Sequence, residues 1–196
     1  MSLRRLAVLS VHTSPLAQPG SGDGGGMNVY VRALATALVR AGVECDVLTR
    51  RDHAGQPAVV EVEPGLRVVH LAAGPAAPVP KHQLVQLVPD LVDATLRRVA
   101  SEDVPYDALH ANYWLSGAVG HPLKHELGLP LVATFHTLAR VKADAGVDDD
   151  PDERARVEQE IVSCADLMLA STEDERDQLA DLYDAPRERV EIVPPG

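Results

Sequence analysis

The sequence predicts a doubly wound α/β domain built on a mostly parallel sheet. Three observations predict it. Short apolar runs such as Leu6-Ala-Val-Leu-Ser-Val11 and Pro130-Leu-Val-Ala-Thr-Phe135 lack the polar alternation of a half-exposed strand, as strands buried on both faces do. These runs alternate with longer segments of helical spacing, which is the βαβ pattern. The composition, 45% hydrophobic but only 3% aromatic, implies an aliphatic core of Val, Leu and Ala suited to buried strands. A chain of 196 residues matches one domain of ~100–200 residues. No composition shift, fixed-period repeat or low-complexity tract divides it.

Residues 6–11 are the first strand. A Gly-rich stretch over 19–26 follows. From Asn28 the spacing turns helical, with Tyr30, Leu34, Ala37, Leu38 and Ala41 on one face and Gly42 as the stop. Residues 45–49 are the next strand, closing a βαβ unit that demands a right-handed crossover. A strand over 67–71 leads through a Pro/Ala loop to a helix over 83–101, whose Leu84, Leu87, Val88, Leu91 and Thr95 share a face. Then come a strand at 106–110, a helix at 115–127 and a strand at 130–135. The acidic stretch 144–153, around Pro151, reads as a mobile loop. A helix ending near Cys164, a strand at 166–170, a helix at 171–183 and a strand at 190–193 complete the order. Ser171-Thr-Glu-Asp-Glu-Arg176 resembles a capped helix start, with acids favouring the dipole. The chain stops at Val193-Pro-Pro-Gly196, just past a strand, which reads as a cut at a domain boundary.

The balance of 18 Lys+Arg against 29 Asp+Glu gives a formal net charge of −11. Such a surface repels polyanions, so nucleic acid is not an expected partner. Cys45 and Cys164 form no CxxC pair and read as reduced thiols of a cytoplasmic protein. The basic start before residue 6 lacks a signal-peptide cleavage pattern, and no run approaches the ~20 apolar residues of a membrane span.

In a parallel sheet, ligands bind outside the carboxyl ends of the strands. Those ends read His12-Thr-Ser14, His110-Ala-Asn-Tyr-Trp114 and Phe135-His-Thr137, so three of the eight histidines reach one rim beside the only Trp. One such His is usually a structural hydrogen-bonder; three point to a polar ligand site. Gly20-Ser-Gly22-Asp-Gly-Gly25 matches GxGxxG, and Arg50-Arg51 could suit a 2′-phosphate, which keeps an NADP oxidoreductase as one alternative. A long loop after the strand spoils the tight turn that this fingerprint needs. Glycines 24–26 lie against a helix start, where unpaired N–H groups and the dipole suit an anionic or polyhydroxylated ligand. A free-standing nucleotide- or metabolite-binding module is a further alternative. His121 and His125 stand at i, i+4 without the Glu of a zincin and read as solvent-facing, so no metal site is expected. No GxSxG nucleophile elbow occurs.

Three motifs together carry a resemblance: Gly22-Asp-Gly-Gly-Gly-Met-Asn-Val-Tyr-Val31, His110-Ala-Asn-Tyr-Trp-Leu-Ser-Gly117 and Thr134-Phe-His-Thr-Leu-Ala-Arg-Val-Lys142. They resemble the N-terminal domain of glycosyltransferase family 4. The resemblance implies a GT-B enzyme with two Rossmann-like domains facing a cleft. Residues 1–196 would be the acceptor-binding domain, with the donor-binding domain absent from this chain. It implies retaining transfer of a sugar from a nucleotide sugar of the UDP-GlcNAc type to a phosphorylated polyol such as inositol phosphate. A homodimer is compatible with it; no cofactor and no protein nucleophile are implied.

Carried over residue by residue, the resemblance implies that His12, Asp23, Gly24, Gly25, Met27 and Asn28 contact the polyol. Gln18 and Gly26 would lie near the donor. Lys81, Tyr113, Thr137 and Arg154 would surround the acceptor phosphate, for which two cations and two hydroxyls are suitable partners. His136, the implied catalytic residue, would hydrogen-bond a donor-sugar hydroxyl. Asn112 stands where the family pattern carries a second His, and Phe135 replaces a small residue. The family's cations for the donor diphosphate belong to the second domain, so this chain alone is expected not to turn over.

Overall fold

The computed structural model describes residues 3–18, 25–146 and 151–195. Asp23 and Gly24 lie outside the described residues. The chain runs β1 (Arg5–Leu9), α1 (Gly26–Arg40), β2 (Glu44–Arg50), β3 (Val59–Glu63), β4 (Leu66–Leu71) and a 3-10 turn (Lys81–Leu87). It continues α2 (Val88–Ala100), β5 (Ala108–Asn112), α3 (Trp114–Leu127), β6 (Leu131–Thr134), α4 (Ala139–Asp144), α5 (Pro151–Cys164), β7 (Leu167–Ala170), α6 (Glu173–Tyr183) and β8 (Val190–Ile192).

All eight strands join one sheet in the order β3-β4-β2-β1-β5-β6-β7-β8. Among the described residues, only the β3–β4 pair is antiparallel. This is the doubly wound α/β class expected from the alternation of elements. Strand β1 explains the missing polar alternation: all five residues are buried. Leu6 and Val8 pack with Val31 and Ala35 of α1 on one face, while Ala7 and Leu9 join the larger core under α2, α3 and α5 on the other.

Several local expectations are corrected. Helix α1 buries Asn28, Val31 and Ala35, whereas Ala37 and Ala41 are exposed. Apolar residues surround most of this helix, so docking against the sheet, not periodicity, selected the buried stripe. Strand β3 is an additional half-buried edge strand, turned back through Gly65 at φ +86°. Tyr106 stands before β5 rather than in it, its hydroxyl donating to the buried Asp46 at 2.6 Å. Helix α4 runs up to Asp144, the first residue of the acidic stretch, and Pro151, Asp152 and Glu153 of that stretch form the first turn of α5. Proline at a helix start removes no needed donor, and the two acids complement the dipole.

The strand order changes direction between β1 and β5. From β1 the chain crosses to β2 on one side, while β5, β6 and β7 follow on the other. The crevice outside the carboxyl ends of β1 and β5 is therefore where this topology admits a ligand. Helices α3 and α5 flank it and approach closely because α3 presents glycine. A Cβ on Gly117 would lie 2.4 Å from Ile161 Cδ1 and 3.0 Å from its Cγ1.

Gly117→Ala would gain up to ~1 kcal/mol of helix propensity. The overlap with the body of Ile161 outweighs it, since overpacking costs about 1–3 kcal/mol. Urea unfolding should show a lower midpoint for the variant; an unchanged or higher midpoint would count against this close packing.

Candidate functional site

Strand β1 delivers the segment Ser10 to His12 to the crevice. The backbone N–H of Val11 donates to Ser116 Oγ at 3.2 Å, tying this strand end to α3. Strand β5 delivers Asn112 and then Tyr113, which adopts φ +75°, ψ +156° before α3 begins. A residue with a Cβ is strained there, at about 1–3 kcal/mol. Packing and hydrogen bonds hold it: Tyr113 N–H donates to the Thr134 carbonyl at 2.8 Å, and its own carbonyl accepts from Gly117 N–H at 3.0 Å. Strand β6 delivers His136, also at positive φ (+62°). Two strained residues thus flank the same crevice.

The Tyr113 ring is the platform of the site. The His12 ring lies 4.6 Å from it between centroids. Lys81 Nζ stands 4.5 Å from its centroid and Arg154 Cζ 5.0 Å, both within cation–π range. Arg154, at the start of α5, is buried, and its Nη2 donates to the Thr137 carbonyl at 2.6 Å and to Thr137 Oγ1 at 3.0 Å. Its Nε donates to Glu158 Oε1 at 2.7 Å. Lys81 and Arg154, far apart in sequence, converge on the Tyr113 ring, and Thr137 joins them through Arg154.

Beside this cluster, His136 Nε2 lies 3.0 Å from Asn112 Oδ1, and its ring meets Tyr30 of α1 edge-on at 4.9 Å. Asn28 is 2% exposed, yet neither its amide nitrogen nor its oxygen has a partner among the described residues. His12 Nδ1, Asn112 Nδ2 and Trp114 Nε1 are likewise buried without partners. Each such group costs about 1–3 kcal/mol if left unpaired, so their concentration on one rim suits a ligand rich in hydroxyls.

Burial, reinforced by the charge of Lys81 and by His136, pushes the His12 imidazole down to about 3. Burial pushes His110 and His136 to about 4, with His136 adding to the effect on His110. All three are neutral at pH 7. His110 sits 2.9 Å from Thr134 Oγ1 and is a structural hydrogen-bonder. A neutral His136 can exchange a hydrogen bond with a hydroxyl but holds no proton to deliver as a general acid.

Gly25 is the N-cap of α1 and Gly26 its first residue, both exposed. Among the described residues, a Cβ on either would meet nothing within 4 Å, and neither has positive φ. Neither packing among the described residues nor backbone conformation demands glycine there, which leaves room for a ligand to approach the backbone. Met27 is half-buried between both faces of the core, and Gln18 is exposed in the preceding loop. These residues connect to the cluster through α1, whose Tyr30 meets His136.

Two residues beyond those singled out shape the site. Glu158 binds Arg154 at i, i+4, a spacing the sequence displayed. Tyr30 lies inside the first family motif. Arg50, by contrast, is committed elsewhere: its guanidinium donates to the carbonyls of Arg51, Pro75 and Ala77. It is therefore not poised for a 2′-phosphate. His121 is half-buried rather than solvent-facing, and it meets His125 and Cys164.

A profile of the glycosyl transferase 4-like domain matches residues 25–196. The chain belongs to the glycosyl transferase 4-like family. It is 48% identical over 198 residues to the D-inositol 3-phosphate glycosyltransferase of Actinosynnema mirum, covering 99% of this chain and 48% of that relative. The namesake from Kineococcus radiotolerans is 48% identical over 202 residues, with 100% and 46% covered. The chain thus spans about half the length of the curated relatives it matches. Among solved structures, sucrose-phosphate synthase from Thermosynechococcus elongatus superposes with a TM-score of 0.88 at 32% identity, covering 97% of this chain and 48% of that one. Starch synthase IV from Arabidopsis thaliana, at 13% identity and a TM-score of 0.67, shares the fold over 100% of this chain and 52% of that one. This glycosyl transferase 4-like domain has the Rossmann-like architecture of GT-B enzymes. Among its described residues, no helix is long and apolar enough to cross a membrane.

The neutral histidines carry a pH signature. Their folded values lie below the ordinary 6.5, so the unfolded chain takes up protons first. Their contribution to stability is complete above pH ~6.5 and is lost as pH falls toward ~4. Urea midpoints should drop across that window, and imidazole NMR should show three rings still neutral near pH 5.5. Midpoints indifferent to pH, or no such rings, would contradict the burial described.

Proposed function

We propose that this chain is the acceptor-binding half of a retaining glycosyltransferase. In this reading a sugar passes from a nucleotide sugar of the UDP-GlcNAc type to a phosphorylated polyol such as inositol phosphate, in the cytoplasm. The convergence of Lys81 and Arg154 on the Tyr113 ring, with Thr137 alongside, carries the reading. Two cations beside two hydroxyl groups suit a phosphate dianion, and the aromatic ring holds both cations at fixed height. The unpartnered Asn28 amide and His12 Nδ1 supply hydrogen-bonding capacity for ring hydroxyls. His136, neutral and braced by Asn112, is suited to a hydroxyl of the transferred sugar. The names of the half-matching relatives point to the same acceptor class.

On this reading the α1 start, with Gly25 and Gly26 open, receives the junction between acceptor and donor, near Gln18. A second domain would contribute the donor's diphosphate contacts, as the length of the relatives suggests. No nucleophile from this half is required, because a departing phosphate can itself accept the acceptor's proton.

Binding discriminates the phosphate assignment. Arg154→Ala is a poor probe because it would strand the buried Glu158 carboxylate. Lys81→Met removes one cation at a half-buried position and leaves that pair intact. Calorimetry should show inositol phosphate weakened by about 1.5–3 kcal/mol, roughly ten- to a hundred-fold, and unphosphorylated inositol little changed. Equal losses for the two ligands would overturn the phosphate assignment.

A further inference from the structure

Far from the Tyr113 platform, α3 and α5 bring together a second set of chemically competent side chains. His121 and His125 stand one turn apart on α3, with ring centroids 5.4 Å apart. Cys164, the last residue of α5, reaches them from the neighbouring helix. One ligand atom from each of the three lies within 4.8 Å of the others. Along α3, His121 and His125 stand about 12 and 18 Å beyond Tyr113, at ~1.5 Å of rise per residue. The cluster is therefore a separate site.

One of its edges already has the dimension of a coordination shell, and the others lie within 4.8 Å. Tetrahedral zinc holds imidazole nitrogen at ~2.0–2.1 Å and thiolate sulfur at ~2.3 Å, so the S···N edge of the tetrahedron is about 3.6 Å and the N···N edge about 3.3 Å. Cys164 Sγ lies 3.6 Å from His125 Nε2. One edge already has the coordinated length, and imidazoles at the surface can rotate to close the others. A thiol–imidazole hydrogen bond alone would account for that pair, but not for His121 at the same point.

We propose that His121, His125 and Cys164 bind a zinc ion with a solvent-filled fourth position, clipping α3 to α5. The donor set is borderline to soft and selects zinc over magnesium or calcium. The end of α5 is held in place beforehand: Lys124 Nζ donates to the Cys164 carbonyl at 2.7 Å and pairs with Asp166 at 2.7 Å. An adjoining concavity of about 670 Å³, lined also by Gln159, Glu160 and Arg189, leaves space for the fourth, aqueous ligand. Zinc binds the thiolate, so the metal must displace the Cys164 proton on binding.

Cobalt(II) is the direct probe, titrated into the full chain under reducing conditions. The expected result is a 1:1 complex with tetrahedral visible bands and a near-ultraviolet thiolate-to-cobalt band, displaced by zinc and untouched by magnesium. Cys164→Ser should abolish the thiolate band, and each of Cys164→Ser, His121→Ala and His125→Ala should weaken zinc roughly tenfold or more. Cys45→Ala should leave it unchanged, since Cys45 is buried in β2. His125 is exposed, so His125→Ala decides the matter if Cys164→Ser does not fold. Zinc should also raise the thermal midpoint of the parent chain, reversibly with a chelator. Absence of 1:1 binding, or full affinity in a folded His125→Ala or Cys164→Ser variant, would overturn the proposal.

Discussion

A single buried carboxylate, Glu158, holds the candidate site in shape. It is fully buried and accepts from three elements: Arg154 Nε of its own helix, the backbone N–H of Ala139 at the start of α4, and the hydroxyl of Tyr183 at the end of α6. A carboxylate placed there without donors would cost several kcal/mol; with three, it joins three helices at one point. Arg154 is thereby fixed against Tyr113 and Thr137 with little side-chain freedom left. An arriving anion would not have to order that cation, which is how a preorganised site gains affinity.

Preorganisation matters because the protein is acidic. A formal net charge of −11 opposes an anionic ligand at long range. Beyond about 8–10 Å that field is screened at physiological salt, whereas a hydrogen-bonded cation in the crevice is not. Short-range geometry therefore outweighs overall charge. The histidines of the rim add no positive charge of their own at neutral pH, so the positive character of the platform rests on Lys81 and Arg154.

The strained backbone at Tyr113 and His136 belongs to the same design. Tyr113 follows directly on β5, beside the point where the topology changes direction, His136 stands two residues past the end of the neighbouring β6, and both turn their rings into the crevice cluster. The hydrogen bonds of Tyr113 to Thr134 and Gly117, and the tight seating of α3 on Ile161 that Gly117 permits, hold the strained turn. The same α3–α5 pair carries the platform at one end and the His121–His125–Cys164 cluster at the other.

Most of the order of strands and helices was legible in the sequence because it depends on local signals: apolar runs of strand length, helical spacing and the Gly and Pro stops; the edge strand β3 and the short α4 were not. Part of the rim was legible too: His12 and His136 follow strand ends as expected, whereas His110 lies in the middle of β5, buried against Thr134. The family resemblance added Lys81, Tyr113, Thr137 and Arg154, of which only Tyr113 and Thr137 lie in the three motifs. Other features depend on packing between distant segments. Docking chose Val31 and Ala35 over Ala37 and Ala41 as the buried stripe of α1, because apolar residues on most sides make its periodicity ambiguous. The i, i+4 spacing of Arg154 and Glu158 was visible, but an exposed pair and a buried hub have the same spacing. Likewise His121 and His125 looked solvent-facing until α5 brought Cys164 beside them. Sequence periodicity specifies elements and their inward faces, while the meeting of side chains from different elements is a property of the tertiary structure alone.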